Sequence, residues 1–141
     1  MMMEFKYVIQ EVPDSFADYR LYAYVEGDLR VVIDDEVVVG VEGALLVEFA
    51  LVLHRWLWGA GASDADLYYA SMDFEEEPVL AFRRAAEGSG YFVDSAWLKS
   101  MKRRVPREQI VVAAEQYLKL LSREMMSRFR VNLEEGLRSG G

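Results

Sequence analysis

The sequence predicts an α+β domain in which two main helices pack on one antiparallel sheet of about five or six strands. Short runs of β-forming residues are separated by turns that contain glycine or several acids, and such turns join antiparallel neighbours. Two longer segments have helical character and separate these runs into two groups. The chain has 141 residues, of which 52% are apolar, which predicts a single domain over residues 1–141.

The front half of the chain predicts a three-stranded meander that is preceded by one further strand. Glu26-Gly27-Asp28 and Asp34-Asp35-Glu36 are interpreted as its turns, because glycine adopts positive φ without steric cost and adjacent acids favour turns. The strand-like runs of this half are 5–10, 21–25, 29–33 and 37–39.

Two helices are predicted at about 44–58 and 106–130. The first is apolar almost all round, so it is expected to lie inside the domain. The second begins at Pro106, which suits the first helical turn because its missing N–H is not needed there. Three further strands are expected between the helices, at 67–74, 79–83 and 90–93, and residues 133–141 are expected to form a flexible tail.

The composition limits the classes of function. The chain has no cysteine, which excludes disulfides and thiolate metal sites. Its longest apolar run, 44–53, is much shorter than the roughly 20 residues that a bilayer requires, so no membrane segment is expected. The first residues lack the basic and apolar regions of a signal peptide, and a cytoplasmic location is expected.

Charge is distributed unevenly along the chain. The net charge is −8, but residues 1–77 carry 17 acids and 4 bases, whereas residues 78–141 carry 7 acids and 12 bases. This asymmetry favours a charged partner, although an acidic sheet that packs on a basic helix would produce the same pattern.

No arrangement of residues indicates catalysis. His54 is the only histidine, and no nucleophile elbow or phosphate-binding loop is present, so no catalytic residue and no cofactor are predicted. Glu48 interrupts the apolar helix, and a structural partner is expected for it, either Arg55 or a group on a neighbouring strand. A small-ligand or enzyme site around Glu48 and His54 is retained as an alternative.

Acidic runs raise the question of a metal site. Three of them contain oxygen ligands that suit a hard cation, but none follows the calcium-loop spacing, so no metal site is predicted. These runs are Asp34-Asp35-Glu36, Asp64-x-Asp66 and Glu75-Glu76-Glu77.

The basic segment 99–107 provides a second alternative function. Its cations could contact phosphates, which would make the protein a nucleic-acid-associated regulator. The overall negative charge opposes this function, and no nucleic-acid-binding motif accompanies the segment. Its charged residues are Lys99, Lys102, Arg103, Arg104 and Arg107.

The acidic turns are the predicted partner-binding residues. Alternate turns of a meander lie at the same end of a sheet, so several acids are expected to form one negative rim that attracts a basic protein. The predicted contacts are Glu26, Asp28, Asp34, Asp35, Glu36, Glu75, Glu76 and Glu77.

Three stretches of the chain resemble small immunity-type proteins that bacteria encode beside polymorphic toxins. They are the hairpin-like segment 24–31, the segment Leu46-x-Glu48-Phe49 with the following Trp56, and Phe92-x-Asp94-Ser95-x-Trp97. The resemblance implies a non-enzymatic protein that binds a cognate toxin, frequently a basic nuclease, and blocks its active site or its assembly. The oligomeric state is left open, a homodimer included.

Overall fold

A computed structural model describes residues 1–17, 20–59, 65–86, 90–99 and 103–140, with positions 139 and 140 described by their backbone alone. The fold is α+β, with two antiparallel sheets and four helices in the described residues. The elements in chain order are β1 (Met3–Glu11), α1 (Arg20–Ala23), β2 (Glu26–Ile33), β3 (Glu36–Leu45), α2 (Leu46–Trp58), β4 (Leu67–Tyr69), β5 (Leu80–Arg84), β6 (Tyr91–Asp94), β7 (Arg104–Val105), α3 (Arg107–Phe129) and α4 (Leu133–Gly140).

The prediction of one sheet is wrong. Strands β1, β2 and β3 form a three-stranded sheet in that order, and β4, β5, β6 and β7 form a separate four-stranded sheet. Helix α2 follows β3 directly. The segment after β6 is connected to the first sheet by an isolated antiparallel bridge between Leu98 and Val39 of β3. Periodicity along the chain indicates strands, but it does not specify which strands pair.

The interpretation of Glu26-Gly27-Asp28 as a hairpin turn is also wrong. These residues belong to β2, which pairs with β1, and the segment before them contains the short helix α1. Gly27 is required here for another reason: a Cβ on it would lie 1.8 Å from the carbonyl oxygen of Val8. The glycine therefore permits a close approach of two strands rather than a reversal of the chain.

The second predicted turn is confirmed. Asp34 and Asp35 connect β2 to β3 and have φ angles of 48° and 67°. Two successive residues with positive φ form the tight hairpin turn whose twist matches that of the strands, and aspartate tolerates this conformation better than most residues.

The two predicted main helices correspond to α2 and α3, but the predicted flexible tail is instead helix α4. Leu133 and Leu137 are buried, and the Tyr22 hydroxyl donates a hydrogen bond of 2.6 Å to the Gly136 carbonyl. The two leucines are four residues apart and lie on one helical face, so their burial explains why the segment is ordered against the rest of the domain.

Aromatic rings fill the core between the first sheet, α2 and α3. The Phe49 ring of α2 contacts the rings of Phe5, Tyr69 and Tyr117 at centroid distances of 5.4, 5.2 and 5.2 Å. The Tyr117 hydroxyl of α3 donates a 2.7 Å hydrogen bond to the Leu46 carbonyl, which satisfies a polar group that is otherwise surrounded by apolar side chains.

Candidate protein-binding surfaces

Three carboxylates converge where β1 ends and β2 begins. Glu11 pairs with Glu26 across the irregular end of the β1–β2 ladder. Partial burial raises the pKa of Glu26, and the negative charges of Asp73 and Glu11 raise it further. Both like-charge effects act in the same direction because they disfavour an additional negative charge at this position.

A run of exposed acids follows Asp73 closely along the chain. Glu75, Glu76 and Glu77 are all exposed to solvent. Their loop is anchored beside them, since the Phe74 ring packs edge-on against the Trp97 ring at 5.0 Å. We use the name acidic end for the three convergent carboxylates together with the three glutamates that follow Asp73 along the chain: Glu11, Glu26, Asp73, Glu75, Glu76 and Glu77.

Three of the four remaining predicted contact residues have charged or polar partners within the domain, and the fourth, Asp35, is exposed in the hairpin turn. Asp28 lies 3.9 Å from the Arg30 guanidinium. Asp34 accepts a 2.8 Å hydrogen bond from the Met2 N–H. Glu36 forms an ion pair with Arg103.

The predicted contacts therefore do not all lie at one end of the sheet. Asp34, Asp35 and Glu36 lie at the opposite end of β2 from Glu26, at a distance of roughly 23 Å if each strand residue contributes about 3.3 Å. Among the six carboxylates of the acidic end, Glu26 and Glu75–Glu77 are residues that the sequence analysis singled out, whereas Glu11 and Asp73 are not. The signal that would have identified Glu11 is the β1–β2 register, which follows only once the two strands are recognised as partners.

The three described arginines of the basic segment contact other groups of the domain, whereas the Lys99 side chain is exposed. Arg103 pairs with Glu36, the Arg104 guanidinium lies 5.2 Å from the centre of the Phe92 ring, and the Arg107 guanidinium lies 4.9 Å from the centre of the Trp56 ring. Such placements stabilise a fold through cation–π contact and leave the guanidinium less available for phosphate. Lys102 lies outside the described residues.

Glu48 has the structural partner that its position in an apolar helix requires. The Tyr69 hydroxyl, on strand β4, donates a 2.8 Å hydrogen bond to its carboxylate. Burial and the adjacent Glu48 charge raise the pKa of Tyr69 well above the usual range, so the phenol remains the donor. This confirms the interpretation of Glu48 as bonded to a neighbouring strand.

His54 lies in a different environment from Glu48. Its ring packs against the ring of Trp58 at 4.9 Å, and both side chains line a groove of about 950 Å³ between α2, α3 and α4. Glu48 does not line this groove. Because Glu48 contacts β4 and His54 faces the other helices, the two groups do not converge on one reacting position.

No metal centre is evident in the part of the chain that the structure describes. No group of three or more histidine, aspartate or glutamate side chains there is arranged to hold an ion. Asp66 accepts a 2.8 Å hydrogen bond from the N–H of Arg84, the last residue of β5, so its carboxylate stabilises the end of that strand. Asp64, the other acid of that predicted pair, lies outside the described residues.

Comparison with known proteins identifies a family for most of the chain. A family described as a domain of unknown function (DUF7878) matches residues 3–127. The chain belongs to this family. The match extends from the start of β1 almost to the end of α3, so it includes both sheets and all of the acidic end.

No curated protein and no solved structure matches the chain. Among the described residues, no helix combines the length and the apolar character needed to cross a membrane.

Proposed function

We propose that this protein is a non-enzymatic interaction protein that binds a basic protein partner through its acidic end. Like the immunity-type proteins that it resembles, it would neutralise that partner, and a toxin is the partner class that the resemblance implies. The proposal keeps Glu26 and Glu75–Glu77 as contact residues and adds Glu11 and Asp73.

One observation carries this proposal: no cation of the described residues forms an ion pair with any of the six carboxylates of the acidic end. Partial burial is the first cause of the raised pKa of Glu26, and Asp73 and Glu11 raise it further with no compensating cation among the causes. An uncompensated cluster at a surface attracts a cationic partner and accelerates its association.

The two alternative functions have less support. The described guanidinium groups of the 99–107 segment are already engaged with Glu36, Phe92 and Trp56, which does not favour a phosphate-binding surface. Glu48 is hydrogen-bonded to Tyr69 and does not share the groove of His54, which does not favour a catalytic pair.

Association kinetics with one defined probe would test the proposal. The probe is the protein encoded by the neighbouring reading frame, co-purified with this chain and separated from it in denaturant. Replacing Glu75, Glu76 and Glu77 by Gln should lower the association rate constant roughly tenfold at low ionic strength and much less at high ionic strength. Stopped-flow fluorescence at several salt concentrations would measure both effects.

The other end of β2 provides a matched control. The variant Asp34→Asn, Asp35→Asn, Glu36→Gln also removes three negative charges, and Asn tolerates the positive φ of the turn. This variant should leave the association rate within about twofold of the wild type, because its charges lie at the opposite end of β2 from Glu26. Equal losses in the two variants, or no binding by the wild-type chain, would contradict the proposal.

A further inference from the structure

The free edge of β1 and one face of α3 together enclose a groove of about 740 Å³. Residues 1–7 line it without a gap along the strand. Consecutive side chains of a strand point to opposite faces of the sheet, so side chains alone could not place every residue of the strand against the groove. This wall of the groove is therefore the backbone edge of β1. The opposite wall is one face of α3 and includes Gln109, Val112, Gln116 and Leu120.

The peptide groups of β1 that point into this groove can be identified from the register. The Asp34 N–H donates a 2.8 Å hydrogen bond to the Met2 carbonyl, and the β1–β2 pairing continues in the same register to Ile9. Even-numbered residues of β1 therefore direct their peptide groups toward β2, since hydrogen-bonded pairs alternate in an antiparallel ladder. Met3, Phe5 and Tyr7 direct theirs toward the open side, where no strand of the described chain pairs with them.

The opposite edge of the same sheet is partly covered. The Lys99 N–H donates a 2.7 Å hydrogen bond to the Val38 carbonyl, and Val39 forms a bridge with Leu98. The sheet is therefore protected at β3 and open at β1. An open edge of this length is a template for another strand.

We propose that a second copy of this chain occupies the β1 edge and pairs with it in antiparallel orientation. The two-fold axis passes through the Phe5 pair, so that Phe5 faces Phe5 and Met3 faces Tyr7 of the second copy. Both of these pairs use peptide groups that point away from β2, so the hydrogen-bonding pattern is satisfied. The two three-stranded sheets become one six-stranded sheet.

The outer face of β1 is complementary to itself in this register. Glu4 faces Lys6 of the second copy, and Lys6 faces its Glu4. Met2 and Val8, which are 63% and 59% exposed in the single chain, face each other at the two ends of the pairing. Opposite charges and apolar pairs placed directly across an antiparallel ladder both stabilise it.

Neighbouring registers lack this complementarity. A two-fold axis at Lys6 would place the two Lys6 side chains opposite each other, and an axis at Glu4 would do the same with the two carboxylates. Within its own sheet, Lys6 faces Arg30 and Glu4 faces Val32, so neither finds an opposite charge directly across β2. The second copy supplies the charge that each of them lacks.

Helix α3 supports the same two-fold axis. Val112 and Leu120 are 59% and 41% exposed although both are apolar. The Phe5 and Tyr117 rings lie 6.3 Å apart, so an axis at Phe5 passes near Gln116, the neighbour of Tyr117 on α3. Val112 and Leu120 lie four residues before and after Gln116, so this axis directs Val112 of one copy toward Leu120 of the other. The two helices then lie side by side on one face of the joined sheet, as packed helices commonly do.

Charge exchange tests this register. The wild-type chain should dimerise in analytical ultracentrifugation. Glu4→Lys alone and Lys6→Glu alone each place like charges opposite each other twice per dimer, so each should weaken dimerisation at least roughly tenfold. An equimolar mixture of the two single variants should form a heterodimer, because one chain then carries lysine at both positions and faces a chain that carries glutamate at both. The double variant with both changes should dimerise like the wild type.

Leu120→Lys provides a second variant at an exposed position of α3, and it should also weaken the dimer while far-UV circular dichroism remains that of the wild type. A wild-type chain that stays monomeric at every accessible concentration would overturn the inference and would leave the β1 edge to a strand of another protein. Single variants that dimerise as well as the wild type, or a mixture that fails to form the heterodimer, would overturn it too. These outcomes are independent of the acidic end, whose carboxylates are unchanged in all of these variants.

Discussion

The two ends of strand β2 are both rich in carboxylates, but they differ in how the charge is balanced. At the end of the hairpin turn, Asp34 accepts a hydrogen bond from the Met2 amide and Glu36 pairs with Arg103. At the other end, partial burial raises the pKa of Glu26, and the nearby charges of Asp73 and Glu11 raise it further. Within the described residues, the same residue types therefore stabilise the fold at one end and lack an ion-pair partner at the other.

The difference shows that neutralisation depends on contacts that are distant in sequence. Arg103 is 67 residues away from Glu36 along the chain, and it is delivered to the hairpin by the segment between β6 and β7. A count of acids in a turn cannot reveal such a partner. Only the acids that the rest of the chain leaves without a cation are suited to attract a separate molecule.

The largest expected effect concerns the backbone that forms the acidic end. Gly27→Ala would place a Cβ 1.8 Å from the Val8 carbonyl oxygen, so β1 and β2 would have to separate there. The free energy of unfolding should fall by about 3 kcal/mol or more, as in severe overpacking. Urea denaturation followed by circular dichroism would measure the loss.

Gly40→Ala is the matched control for this substitution in the same sheet. Its Cβ would meet the flexible end of the Lys99 side chain at 3.2 Å, which can move aside. A change below about 1 kcal/mol is expected. Similar losses in the two variants would show that close strand approach at Gly27 is not what positions the acidic end.

A smaller effect is expected at the balanced end. Glu36→Gln removes the ion pair between Glu36 and Arg103. The side chains of both residues are partly exposed to solvent. Exposed pairs contribute about 0.2 to 1 kcal/mol, so the free energy of unfolding should decrease within that range. A double-mutant cycle with Arg103→Gln would isolate the pair, and a coupling energy of zero would show that this end is not balanced by Arg103.

The smallest effect should have the opposite sign. The pKa of Glu26 is higher in the folded protein than its ordinary value of 4.5, so the ionised carboxylate is less favourable in the folded state than in the unfolded state. The free energy of unfolding therefore decreases as the pH rises from the unfolded-state pKa through the folded-state pKa. Glu26→Gln should therefore stabilise the protein at pH 7 by less than about 1 kcal/mol. The gain should disappear below pH 4.5, where the carboxyl is protonated in both states.

Thermal or urea unfolding across this pH range would follow the gain. A destabilised Glu26→Gln variant at pH 7 would mean that an attractive partner balances Glu26 after all. In that case the contrast between the two ends of β2 would not hold.

The sequence predicted well the features that depend on neighbouring residues. The helices at 44–58 and 106–130 and the Asp34-Asp35 turn correspond closely to α2, α3 and the β2–β3 hairpin, because helical periodicity and turn conformation are local properties. The prediction of a turn at Gly27 was wrong because glycine occurs both in turns and where two strands approach closely. Only the position of the Val8 carbonyl, which the sequence does not give, distinguishes these two roles.

The candidate site was predictable only in part for the same reason. Glu26 and Glu75–Glu77 were found because they occur in conspicuous acidic segments. Glu11 and Asp73 are single acids whose proximity to Glu26 results from strand pairing and from the loop after β4. The groove beside β1 was not predictable either, since it needs the position of α3 relative to the strand edge.

Strand β3 ends at Leu45 and helix α2 begins at Leu46, with no residue between them. A one-residue insertion at such a junction must either shift the strand by one pairing position or rotate the helix by about 100°. Either change would carry Phe49 away from Phe5 and Tyr117, which now surround it. Insertions and deletions should therefore be far better tolerated at the exposed hairpin turn formed by Asp34 and Asp35 than at the junction of β3 and α2.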